Sequence, residues 1–129
     1  MDKETENFLY DLTYFQEVMH MVYSDAYEAY DALEQHDGEN NYIISLGYLN
    51  MANQSFVELN RFKNEKALET YEISPFFNAY LEYKHELKEV ITNKDTNTSW
   101  LYTKHQNLIN SWKNADEFIK NYLKTTTNN

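Results

Sequence analysis

The stretch Phe8 to Leu33, FLYDLTYFQEVMHMVYSDAYEAYDAL, decides the fold. Within it Phe8, Leu12, Phe15, Met19, Val22, Ala26, Ala29 and Leu33 recur at alternating steps of four and three. Such steps bring side chains onto one side of an α-helix, and over about 25 residues they make a coiled-coil seam. The stretch predicts a first helix over about 5–35.

Reading outward, two glycines and one proline leave few places to turn, which favours long helices over the many turns of a sheet protein. Gln35 to Asn41, containing Asp37-Gly38, supplies turn chemistry. A second helix then runs over about 42–71, with Leu49, Ala52, Phe56 and Leu59 keeping the seam until Lys63 and Lys66 fall on it. Near Arg61 the stripe must shift or the helix bend. Ser74 and Pro75 read as an N-cap and a first-turn proline, opening a third helix over 75–93 along Phe76, Tyr80, Tyr83, Leu87 and Val90. The polar run Asn93 to Asn97 is a loop. Thr98 or Ser99 can cap a fourth helix over 99–124, with a seam of Leu101, His105, Leu108, Trp112, Ala115, Ile119 and Tyr122. The tail Thr125 to Asn129 is expected to fray. Four helices joined by loops of roughly three to seven residues predict an all-α, antiparallel, up-down-up-down four-helix bundle. A chain of 129 residues suits a single domain.

With 42% hydrophobic residues, seven Phe, two Trp and twelve Tyr, there is enough apolar material for a core, so the acidity does not imply disorder. The absence of cysteine excludes disulfides and thiolate zinc sites and fits a reducing compartment. The segment MDKETENF has no apolar core of signal-peptide length, and no uncharged apolar run approaches the ~20 residues of a membrane span. We expect a cytoplasmic protein. Abundant Asn, Lys, Ile and Tyr fit an AT-rich genome, such as that of a low-GC bacterium or its phage.

The charge is lopsided. Of the eleven basic residues only Lys3 precedes Arg61, whereas twelve of the twenty-one acidic residues lie there, so the net charge of −10 sits on the first half. Such asymmetry points to a basic partner. Direct nucleic-acid binding is disfavoured, because the lysines of the second half are interleaved with acids.

Two Glu-x-x-His pairs, Glu17 with His20 and Glu82 with His85, have the spacing that di-iron bundles use to set carboxylate and imidazole on one face. Both pairs fall on outer faces relative to the seams, whereas ligands must converge inside, and the fourth helix offers only Asp116 and Glu117 as further acids. No metal is therefore expected. His105 alone of the four histidines falls on a seam, and is read as a core histidine satisfied by a tyrosine hydroxyl or a backbone group. No cysteine nucleophile, phosphate-cradling loop or hydrolase serine elbow is present. We expect no catalytic residue and no cofactor.

The segment His85-Glu86-Leu87-Lys88 resembles the H-x-L-K part of histidine phosphotransfer domains, which are also acidic four-helix bundles. The resemblance implies His85 as phosphoacceptor and Lys88 as its electrostatic neighbour. In that family a small residue, usually Gly, follows the lysine; here Glu89 stands, with Glu82 and Glu86 close by, and carboxylates repel a phosphoryl group.

Surface recognition remains. Tyr10, Tyr14 and Met21 form a second apolar stripe on the outer side of the first helix, among Asp11, Glu17 and Asp25. Amphipathic aromatics ringed by carboxylates suit a protein interface. Further along, Asp25, Glu28, Asp31, Glu34, Asp37 and Glu39 make an acidic ridge. The expectation is a non-enzymatic module that binds a basic, nucleic-acid-acting protein through Tyr10, Asp11, Tyr14, Glu17, Met21, Asp25, Glu28, Asp31 and Glu34, as an inhibitor, decoy or immunity-type protein. A homodimer would bury the same stripe against itself. Two alternatives stand beside it: phosphotransfer through His85, and a small apolar ligand or metal held in the bundle core.

Overall fold

A computed structural model describes residues 2–35 and 39–127 as four helices: α1 (Lys3–Gln35), α2 (Glu39–Glu65), α3 (Ser74–Asn93) and α4 (Ser99–Thr127). No strand occurs among the described residues. The expected turn residues Asp37 and Gly38 lie outside them.

The seams become the core. On α1, Leu12, Phe15, Met19, Val22, Ala26 and Ala29 are buried, and all five seam residues of α3 are buried with them. Leu49, Ala52, Phe56 and Leu59 of α2 and Leu101, Leu108, Ala115 and Ile119 of α4 complete one contiguous apolar cluster. Seam ends depart from the pattern: Phe8 and Tyr122 are exposed, and rest edge to face on each other at 5.8 Å.

Residue size along α1 explains how the other helices fit. Phe15 and Met19 fill one half of the bundle, whereas Ala26 and Ala29 leave room in the other. The Tyr83 hydroxyl uses that room to donate to the Ala26 carbonyl at 2.6 Å, and Ser45 of α2 donates to the Ala29 carbonyl at 2.6 Å. Both are buried polar groups that would be costly without a partner. Further contacts tie the helices pairwise: Tyr14 to Phe62 and Glu58, Phe15 to Phe77, Phe56 to Phe77 and Tyr80, Tyr23 to Trp112, and Lys104 to Glu82.

Several boundaries differ from the sequence reading, for identifiable reasons. Helix α1 starts at Lys3 because the Asp2 carboxylate accepts from the Thr5 backbone at 2.6 Å, a side-chain N-cap. That hydrogen bond holds the Asp2 carboxyl below its ordinary pKa. Helix α2 begins at Glu39, three residues before Tyr42, and ends at Glu65 rather than near Tyr71. Its end is a Schellman motif: Leu68 N donates to the Lys63 carbonyl, Ala67 N donates to Asn64, and Ala67 takes a left-handed φ of 53°. In place of the shift or bend expected near Arg61, the helix runs through that residue and ends at Glu65. Lys63 does fall on the inner face and is buried. Its stem packs inward while the ammonium lies 4.3 Å from the Phe77 ring centroid and 3.8 Å from Glu69.

At the start of α3, Pro75 sits in the first turn, but Ile73 occupies the cap position and no side chain caps it. The Ser74 hydroxyl instead donates to Glu69. Before α4 it is Asn97, not Thr98 or Ser99, whose side-chain oxygen accepts, from the Ser99 backbone at 3.1 Å and its hydroxyl at 2.6 Å. Helix α4 also runs on to Thr127, beyond the expected fraying point; residues 128 and 129 lie outside the described ones.

Candidate partner-binding face

Helix α1 carries all nine residues expected to meet a partner, and the packing of α2 and α4 against it sorts them into three rows. Facing solvent is a strip of Tyr10, Glu17, Met21 and Glu28, with Tyr10 66% and Met21 52% exposed. Among the described residues neither Glu17 nor Glu28 has an ion-pair partner.

A second row leans toward α2. Tyr14 lies edge to face on Phe62 at 4.9 Å, and its hydroxyl donates to Glu58 at 3.2 Å. Arg61 in turn clamps Glu58 and Glu65. Loss of solvent and the Glu58 carboxylate raise the Tyr14 phenol above its usual pKa, and the Arg61 hydrogen bonds lower that of Glu58. Tyr14 therefore belongs to the α1–α2 contact as much as to the outer stripe. Asp11 is half-buried 3.8 Å from Lys66. Asp25 is half-buried, and desolvation raises its carboxyl pKa.

The third row turns toward α4. Steps of three residues rotate about 60° backward around a helix of 3.6 residues per turn, so Asp25, Glu28, Asp31 and Glu34 spiral from the α2 side to the α4 side. They do not form one straight ridge. Asp31 acts electrostatically on His105, and Glu34 on the Tyr30 phenol. Asp37 lies outside the described residues.

The α1–α4 seam holds an aromatic row that a single-seam reading of α1 does not reveal. Tyr23 stacks on Trp112 at 4.1 Å and 2°, and Tyr30 stacks on His105 at 4.0 Å and 11°. Tyr27 and Tyr83 close the remaining sides of His105 at 5.1 and 5.6 Å. The only sequence signal is Tyr23, Tyr27 and Tyr30 at helical spacing. His105 is buried as expected, but its Nδ1 has no hydrogen-bond partner, because Tyr83 spends its hydroxyl on Ala26. Burial lowers the imidazole pKa to about 4, against a smaller upward pull from Asp31. Beyond Trp112 the row opens into a groove beside His20, Met21 and Asp116. Buried Asp116 accepts from Gln16 at 3.1 Å and pairs with Lys120 at 2.8 Å, a role its seam pattern did not suggest.

Glu17, His20, Glu82 and His85 are all exposed, and Glu82 pairs with Lys104. Among the described residues no three His, Asp or Glu side chains converge as a metal-binding group. His85, Lys88 and Glu89 lie exposed on α3. A small, half-open apolar cavity of about 100 Å³ lies beside Leu68 and Ile73, lined also by Phe8, Leu12 and Phe118. No described helix is long and apolar enough to cross a membrane. Compared with known protein families, curated proteins and solved structures, the chain has no significant match.

Proposed function

We propose that this chain is a non-enzymatic binding module whose α1 outer strip engages a basic, nucleic-acid-acting protein in the cytoplasm, as an inhibitor, decoy or immunity-type protein. The observation that carries the reading is the strip itself: Glu17 and Glu28 are unpaired within the described chain, and Tyr10 and Met21 stand exposed between carboxylates. Exposed charges of one sign steer a basic partner, and amphipathic side chains supply the contact area that holds it.

Charge density bounds the mechanism. From Asp2 to Glu34, α1 and its cap present nine carboxylates along roughly 48 Å of helix. That is one per about 5 Å, against one phosphate per ~3.4 Å on each strand of a duplex. Carboxylates alone would not displace a duplex, so the apolar anchors are required for competition.

The bundle reading belongs to the same proposal. A chain order of up, down, up, down is supported by contacts in which later α1 residues meet earlier α2 and α4 residues. Tyr14 pairs with Phe62 while Ala29 pairs with Ser45, and Phe8 pairs with Tyr122 while Tyr30 pairs with His105. Against α3 the order is the same on both helices, Phe15 with Phe77 and Ala26 with Tyr83.

The test is capture from the native host at low and high salt, followed by association kinetics of the captured protein with the Glu17→Lys, Glu28→Lys double variant. Both positions are exposed, so the fold should survive. Association at low salt should slow by ~10-fold or more. Rates that neither change nor respond to ionic strength would remove the electrostatic mechanism.

A further inference from the structure

The outer face of α2 has a different character from that of α1. From Asn40 to Val57 there are eighteen consecutive residues without a charge, in a chain of which 25% are charged. Several of them are apolar and turned to solvent: Ile43 is 69% exposed and Val57 61%, with Ile44, Leu46 and Met51 also exposed. They lie opposite the inward-facing Ser45, Leu49, Ala52, Phe56 and Leu59, so the core of their own chain does not bury them.

In the middle of this face stands Gly47. A glycine inside a helix is unfavourable relative to alanine, and is retained where backbone or ligand must come close. Nothing among the described residues makes that demand, because a Cβ built at Gly47 meets no atom of theirs within 4 Å. The position is exposed and helical. What the missing side chain leaves open is an approach from outside.

We infer that the outer face of α2 is a self-association surface, on which a second copy of this chain packs about a twofold axis at Gly47. Charge selects the occupant. A basic protein finds no carboxylate here between Asn40 and Val57, whereas α1 offers many. Two copies, each at −10, repel wherever α1 faces α1, and this strip lets them touch without setting like charges together. A twofold axis at Gly47 crosses the two α2 helices in opposite directions and brings Ile43 of one copy beside Met51 of the other. The same axis sets the exposed amide of Gln54 opposite that of Asn40 of the other copy, where the two can pair.

The strip from Ile43 to Val57 is about 21 Å long and, at the ~10 Å breadth of one helix, offers roughly 200 Å², short of the ~800 Å² per partner of a standard interface. The dimer should accordingly be weak, with Kd from about 10 µM to about 1 mM.

Sedimentation equilibrium over that concentration range tests the inference, using the full chain. The expected result is a reversible monomer–dimer equilibrium that tightens as salt screens the net charge, the opposite of the salt response of basic-partner binding on α1. Replacing both Ile43 and Met51 with Glu should weaken the dimer at least ~10-fold. Gly47→Ala should raise the thermal midpoint of the monomer while weakening the dimer, a pair of opposite signs that loss of folding cannot produce. A single monomeric species up to about 1 mM, or a dimer indifferent to these three substitutions, would overturn the assignment.

Discussion

His105 makes the stability of this protein depend on pH, by an amount that follows from its surroundings. The ring is 3% exposed, stacked on Tyr30, flanked by Tyr27 and Tyr83, and has no partner for Nδ1. Protonation would place an imidazolium there, and the nearby Asp31 carboxylate offsets only part of the lost hydration, so the pKa falls from 6.5 to about 4. The folded state thus resists a proton that the unfolded chain accepts. Where the unfolded chain binds more protons, stability rises with pH. The contribution is fully present above about pH 6.5 and is lost as pH falls toward about 4. A shift of that size corresponds to about 3 kcal/mol, most of which is gone by about pH 4.5. His105→Phe keeps an aromatic ring in the tyrosine box and removes both the titration and the unpartnered nitrogen. Urea unfolding of both proteins at about pH 7 and about pH 4.5 should show the variant losing about 2 to 3 kcal/mol less than the parent. At neutral pH the two should lie within about 1.5 kcal/mol of each other, as for well-tolerated core swaps. Acid effects on the carboxylates are common to both proteins and cancel in the difference. Parallel pH curves, or an NMR titration placing His105 near 6.5, would refute the reasoning.

Two further outcomes follow from local geometry. Tyr10→Ser should cost under about 0.5 kcal/mol in denaturant unfolding, as an exposed site, whereas Tyr14→Ser loses the Phe62 contact and the Glu58 hydrogen bond and should cost about 1 to 2 kcal/mol. Equal costs would mean that Tyr14 does not hold α2 to α1. Ala67→Gly should raise stability by about 1 kcal/mol, because the left-handed φ of 53° strains alanine and not glycine. A lower thermal midpoint for that variant would argue against the Schellman end of α2.

What the sequence determined by itself is the direction of each side chain relative to its own helix axis. The repeat of four and three from Leu12 to Ala29, and those of Phe76 to Val90 and Leu101 to Ile119, describe helices whose inner faces are legible because that periodicity is a local property of the backbone. The exposure of Tyr10, Glu17, Met21 and Glu28 was legible for the same reason. Tertiary structure decided whatever depends on a second axis. Helix α2 stops at Glu65 with no glycine to announce it: Ala67 accepts a left-handed backbone, and Leu68 is buried beyond it. Lys63 can stay inside only because Glu69 and Phe77 arrive from outside its helix. Tyr14 reads as an outer residue until Phe62 and Glu58 come alongside. The pairing of Tyr23 with Trp112 and of Tyr30 with His105 joins positions more than 70 residues apart. No local repeat encodes the register between two helices, which is set when their side chains interlock, and that register is what left the His105 nitrogen without a partner.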